Sequence, residues 1–156
     1  MPVDATVFKS ALGRWASGVS VITTRDATGA PVGITASSFA SLSLEPPLVL
    51  FCLGLDSTGR EAFVAAPGFT VHLLAAQQEA LSARFATRGG DKFVGLEHGE
   101  GTWGPLLPGC LAALECRTHA QLPGGDHIIM VGAVERVTVA DGEPLLYFQG
   151  NYRRFG

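Results

Sequence analysis

Residues 33–53, GITASSFASLSLEPPLVLFCL, place five hydroxyl side chains, Thr35, Ser37, Ser38, Ser41 and Ser43, within nine residues and turn apolar after Pro46 and Pro47. Hydroxyls and nearby backbone N–H groups are neutral donors and acceptors, suited to a planar, polar-edged ligand or to phosphate. A serine-rich turn that satisfies its own backbone uses the same composition, and the residues alone leave both readings open. There is no GxGxxG and no GxxxxGK[ST], so any nucleotide must be bound another way.

Other candidates are weaker one by one. Ser57 and Thr58 precede helix-compatible residues, where free N–H groups favour an anion, although a plain N-cap is the commoner role. Ser82, Arg84 and Phe85 share a second helical stretch whose arginine can pair a phosphate or simply face solvent. His127 follows Gly124, Gly125 and Asp126 at a hairpin mouth, which exposes an imidazole for hydrogen bonding or proton transfer, or leaves it idle. His72, His98 and His119 are scattered without metal-ligand spacing, and no GxSxG elbow or nucleophile–His–acid pattern supports hydrolysis.

The elements that must position these residues follow from periodicity and punctuation. A helix is predicted over 4–16, capped by Asp4, with Phe8, Leu12 and Trp15 as its apolar stripe. A hairpin follows, with two β-branched runs flanking the turn cluster DATGA, and the hydroxyl-rich stretch ends its second strand. The run LVLFCL, 48–53, reads as a strand buried on both faces, within a closed barrel or beneath a partner. Then come a short helix from Ser57, a strand over 68–75, and a helix in QQEALSARFATRGG. Residues 89–109 hold seven glycines and two prolines and form an irregular excursion. A second hairpin joins 111–122 to 127–139 through PGGD, and the tail PLLYFQGNYRRFG carries a last strand. Six or seven closely spaced strands without regular βα alternation predict a closed antiparallel barrel with short helices inserted.

Composition bounds the function. The 156 residues fit one domain, 1–156, and 16% charged against 47% hydrophobic residues describe a globular chain with surface to spare for an oligomer interface. A net charge of −3 without a basic run argues against nucleic acid. Cys52, Cys110 and Cys116, odd in number and widely spaced, suit a reducing cytoplasm and neither a disulfide framework nor a metal site. No leader pattern or membrane-length apolar run is present, so secretion and membrane spanning are disfavoured.

Taken in order, FKSALGRWASGVSVITT (8–24), GITASSFASLSLEPPLVLFCL (33–53), FTVHLLAAQQEALSARFA (69–86), GDHIIMVGAVE (125–135) and PLLYFQGNYR (144–153) resemble blocks of the flavin reductase family, the short-chain NAD(P)H:flavin oxidoreductases that serve two-component flavin monooxygenases. The resemblance implies a mainly β fold, an FMN-binding split barrel of six antiparallel strands in Greek-key order with short peripheral helices, acting as a homodimer. It implies that free FMN or FAD is reduced by NADH or NADPH and handed to a partner monooxygenase; a flavin-storage protein on the same barrel is the alternative. By the same resemblance, Thr35, Ala36, Ser37 and Ser38 contact the flavin ring and ribityl chain, with Ser41 and Ser43 on the same loop. Cys52 and Leu53 give backbone contacts, and Ser57, Thr58, Ser82, Arg84 and Phe85 lie toward the phosphate or its adenylate extension. His127 is the catalytic candidate beside the nicotinamide, with Tyr152 close to that pocket. The chain departs from the family pattern at His72, where asparagine is frequent, and at Asn151, where a basic residue is frequent.

Overall fold

The computed structural model describes residues 3–156. Helix α1 (Ala5–Leu12) starts where Asp4 accepts the backbone N–H groups of Thr6 and Val7. It stops at Gly13, short of the predicted residue 16. None of its residues is buried, and Phe8, Leu12 and Trp15 are 51%, 56% and 81% exposed, so the apolar stripe faces away from the core.

The strands that follow are β1 (Ser17–Gly18), β2 (Ser20–Arg25), β3 (Pro31–Ala36), β4 (Ala40–Ser43) and β5 (Leu48–Gly54). Helix α2 (Arg60–Ala65), β6 (Gly68–Leu73) and α3 (Glu79–Ala86) come next. After them come β7 (Gly99–Glu100), β8 (Pro105–Leu106), β9 (Ala112–Gly124), β10 (His127–Val139), β11 (Leu146–Phe148) and β12 (Asn151–Arg153). Both predicted hairpins form. In the first, Asp26 Oδ1 accepts the Thr28 and Ala30 N–H groups, and Gly29 takes φ +87°. The second turns at Gly125, with φ +67°.

One antiparallel sheet runs in the order β3-β2-β6-β9-β10-β5-β4. Its curvature shows in the core: Ile22 and Ala36 from one end of that order share a cluster with Val49, Phe51 and Leu53 from the other. Six strands make the barrel wall, and the short β4 adds a seventh along one edge. The end strands β3 and β4 share no ladder among the described residues, and residues 37–39 cross between them. This seam splits the barrel.

Strand β5 alternates within the single chain: Val49, Phe51 and Leu53 are buried, while Leu48, Leu50, Cys52 and Gly54 are only half-buried, since nothing among the described residues fully covers the outer face. One prediction needs correction. The tail forms two short strands, β11 and β12, turned at Gln149 and Gly150 and paired with β1 in a separate small sheet.

His72 is a structural cross-link. Fully buried on β6, its Nδ1 lies 3.0 Å from Val21 O and its Nε2 accepts the Leu107 N–H at 3.1 Å. Nδ1 is therefore the protonated nitrogen, and burial pushes the imidazole down to about 4.

Candidate functional site

Where β4 gives out, β5 keeps an unpaired edge facing the seam. The Cys52 N–H, beyond the last β4–β5 pair at Leu50 and Ala40, donates instead to Ser38 Oγ at 2.9 Å. A side chain thus replaces a missing ladder bond. The facing edge belongs to β3, where the Thr35 hydroxyl donates to Ser82 O on α3 at 2.6 Å. Helix α3 comes this close because Gly33 offers no side chain: a Cβ there would stand 2.5 Å from Phe85 Cε1.

Between these edges lies a cavity of about 460 Å³, within the usual range for small-ligand sites. Thr35, Ala36, Ser37 and Ser38 line it from the seam, and Cys52 and Gly54 from β5. Ser57 and Thr58 lie ahead of α2, and Ser82 and Phe85 come from α3. Val19, Ile34 and Tyr147 give apolar and aromatic walls. Tyr152 joins them, edge-on to Tyr147 at 5.5 Å, with its hydroxyl 2.7 Å from Ser82 Oγ.

His127 stands at the rim, its side chain 47% exposed. It pairs across the ladder with Gly54, and its Nδ1–H donates to Asp126 Oδ1 at 2.7 Å. That bond holds the Asp126 carboxyl below the usual carboxylate range and leaves Nε2 free of any protein partner among the described residues. A Cβ on Gly54 would come within 3.8 Å of Nε2, so glycine keeps that side of the ring open.

Four residues named from the sequence lie outside the cavity lining. Ser41 and Ser43 belong to the β4 edge strand, whose register carries them along β5 and away from the seam. Leu53 points into the core, as the alternation of β5 requires, and is fully buried. Arg84 spends its guanidinium on the loop after α3, donating to Lys92 O at 2.6 Å and to Val94 O. Ser57 lines the cavity but does not cap α2. Gly59 occupies that position and makes no side-chain cap.

The cations that do line the cavity are Lys92 and Arg88. Lys92 Nζ donates to Phe85 O at 3.0 Å and Gly33 O at 3.3 Å, and partial burial lowers its pKa. Arg88 lies against Asp56, donating to its backbone oxygen at 3.0 Å. Sequence reading missed both, together with Gly54 and Tyr147. Gly54 was recoverable once β10 is aligned on β5, but Lys92 sits in the irregular excursion and carries no local signal.

Neutral hydroxyls and backbone edges on two sides, aromatic walls, and cations at one end fit a flavin with its ribityl phosphate. Residues 12–156 match the flavin reductase-like domain model. The chain is 45% identical over 151 residues to an FMN reductase (NADH), SmoA, of Agrobacterium fabrum, covering 95% of this chain and 84% of that protein. It is 46% identical over 148 residues to the reductase component of 4-hydroxyphenylacetate 3-monooxygenase from Thermus thermophilus, covering 94% of each. The solved structure of the NADH:FAD oxidoreductase SgcE6 of Streptomyces globisporus, in complex with NAD and FAD fragments, superposes with a TM-score of 0.93 at 37% identity, covering 100% of this chain and 95% of that one. With the match running along nearly the whole chain and the seam cavity built to suit, this protein belongs to the flavin reductase-like family.

Proposed function

We propose that this chain reduces free flavin with NADH and delivers the reduced flavin to a partner monooxygenase. The observation that carries the proposal is the seam cavity itself, which sets neutral hydroxyls beside the cations Lys92 and Arg88 and whose rim is open at His127. Flavin supplies the redox chemistry when bound, accepting hydride from the nicotinamide. The chain's task is placement and charge stabilisation.

Thr35, Ala36, Ser37, Ser38 and Cys52 would hold the ring edge, where hydroxyls and N–H groups stabilise arriving negative charge without covering the ring face. Ser57, Thr58, Ser82 and Phe85 would hold the ribityl end, with Lys92 and Arg88 toward the phosphate. His127 would orient the nicotinamide through Nε2, and Tyr152 would close the same pocket. Bringing the reactants together in one cleft makes the step effectively unimolecular, and no side chain is needed as an acid or base.

The exposed α1 stripe and the half-covered outer face of β5 support a homodimer, and the three free cysteines support a cytoplasmic setting. Among the described residues no helix is long and apolar enough to cross a membrane. The relatives above are reductases, which favours catalysis over flavin storage.

The test mixes protein, NADH and free FMN or FAD and follows NADH absorbance. Flavin-dependent loss of NADH is expected. Tight flavin binding without such loss would replace this reading with storage.

A further inference from the structure

Of the 11 lysines and arginines, Arg25, Arg88, Arg117 and Arg136 stand against carboxylates, and Arg60, Arg84 and Lys92 donate to backbone oxygens. The remaining four, Lys9, Arg14, Arg153 and Arg154, are exposed, and their side chains make no hydrogen bond or ion pair among the described residues.

These four share one place in the fold. The Gln149 N–H donates to Gly13 O at 3.0 Å, which ties the end of α1 to the turn between β11 and β12. Gly18 pairs with Leu146, and Leu146 with Arg153, so the start of the chain and its tail lie side by side in the small sheet. Residues 5–18 and 144–156 contain no Asp or Glu, whereas the rest of the chain holds all 14 carboxylates against seven cations. Positive charge is therefore segregated onto this unit.

The same unit walls the seam cavity through Val19, Tyr147 and Tyr152. Along β12, half-buried Tyr152 lines the cavity while its neighbour Arg153 is exposed. Strands stand about 4.8 Å apart, which puts Arg153 and Arg154 within roughly 15 Å of the cavity wall. An anion approaching a chain of net charge −3 is repelled at long range, and a local positive field reverses that repulsion. Cations that no carboxylate neutralises act through solvent without touching the ligand.

We infer that Lys9, Arg14, Arg153 and Arg154 form an electrostatic funnel that draws phosphorylated, anionic flavin to the seam cavity and gives it a kinetic preference over neutral riboflavin. This rests on the proposed flavin reading for the occupant of that cavity. The FMN phosphate carries about −1.5 to −2 charges near neutral pH, and riboflavin carries none.

The experiment reads association apart from turnover: oxidised FMN or riboflavin is mixed with the protein in stopped flow, and flavin fluorescence is followed at low and high salt. At about 10 mM ionic strength, where the screening length is about 30 Å, each cation near the dianion strengthens the encounter about twofold. Arg153→Gln combined with Arg154→Gln is expected to lower the FMN association rate about threefold, leaving FMN dissociation and riboflavin association unchanged. At about 1 M salt, where the screening length is about 3 Å, the difference should vanish. Should that pair disturb β12, Lys9→Gln combined with Arg14→Gln on the neighbouring element carries the same comparison. An FMN association rate equal in variant and unaltered chains at low salt, or an equal fall for riboflavin, overturns the inference. Binding of neither flavin overturns the flavin reading and the inference together, whereas a chain that shows the salt-dependent FMN effect and fails to oxidise NADH leaves the inference standing and overturns the proposed activity.

Discussion

Ser82 on α3 and Tyr152 on β12, seventy residues apart, meet hydroxyl to hydroxyl at 2.7 Å on the wall of the seam cavity. Ser82 is fully buried, and its backbone oxygen also accepts the Thr35 hydroxyl. The three residues tie the tail, the helix and the β3 edge into one wall. Tyr152→Phe keeps the ring against Tyr147 but removes the bond, leaving Ser82 Oγ short of a partner. A net hydrogen bond is worth about 1 kcal/mol, so kcat/KM should fall about fivefold, read by steady-state kinetics. Tyr152→Leu should cost more, since it also removes the aromatic edge contact.

His127 tests the nicotinamide assignment. His127→Ala is expected to raise KM for NADH by about fivefold to tenfold, corresponding to one hydrogen bond, with a smaller effect on KM for flavin. Equal changes in both constants would remove its assigned role. Asp126→Asn isolates the Nδ1 bond: if the carboxylate fixes the tautomer, this variant should show the same pattern in weaker form.

The barrel was legible because its punctuation is chemical. Asp26 with Gly29, and Gly125 with Asp126, mark turns whose conformations few other residues supply, and β-branched runs flank them. The seam was not legible, because it depends on β4 ending before β5 does, a property of register and not of composition. Ser38 and Ser41 look alike in sequence, yet one satisfies Cys52 N–H beside the cavity and the other rides the edge strand. Arg84 lies outside the cavity and Lys92 lines it for a similar reason. The excursion after α3 folds back so that its carbonyls take the guanidinium while its own ammonium reaches the cavity.

Gly33 sets how near α3 approaches the seam. Gly33→Ala drives a methyl into Phe85, with 2.5 Å available, so the ring must shift toward the cavity it lines. The expected loss is about 1–3 kcal/mol in urea unfolding, with a raised KM for flavin as Ser82 and Phe85 are displaced. Pairing it with Phe85→Leu should recover part of the stability, a coupling that a double-mutant cycle reads directly.

The buried His72 makes stability depend on pH in a defined direction. Its imidazole is at about 4 in the folded chain against an ordinary value of 6.5, because burial away from water disfavours the cation. The unfolded chain therefore binds the proton first as pH falls. Above about 6.5 both states are neutral and the stability from this residue is fully present. Between 6.5 and 4 it is lost progressively, by roughly 3 kcal/mol at most, and below 4 the folded state protonates too and the dependence flattens. His72→Gln keeps a donor and an acceptor but cannot titrate. Comparing urea midpoints of the two chains from pH 7 to pH 4 should show a slope present in the unaltered protein and reduced in the variant. Parallel slopes would mean that the acid sensitivity arises elsewhere and that the Val21 and Leu107 cross-link tolerates a charged imidazole.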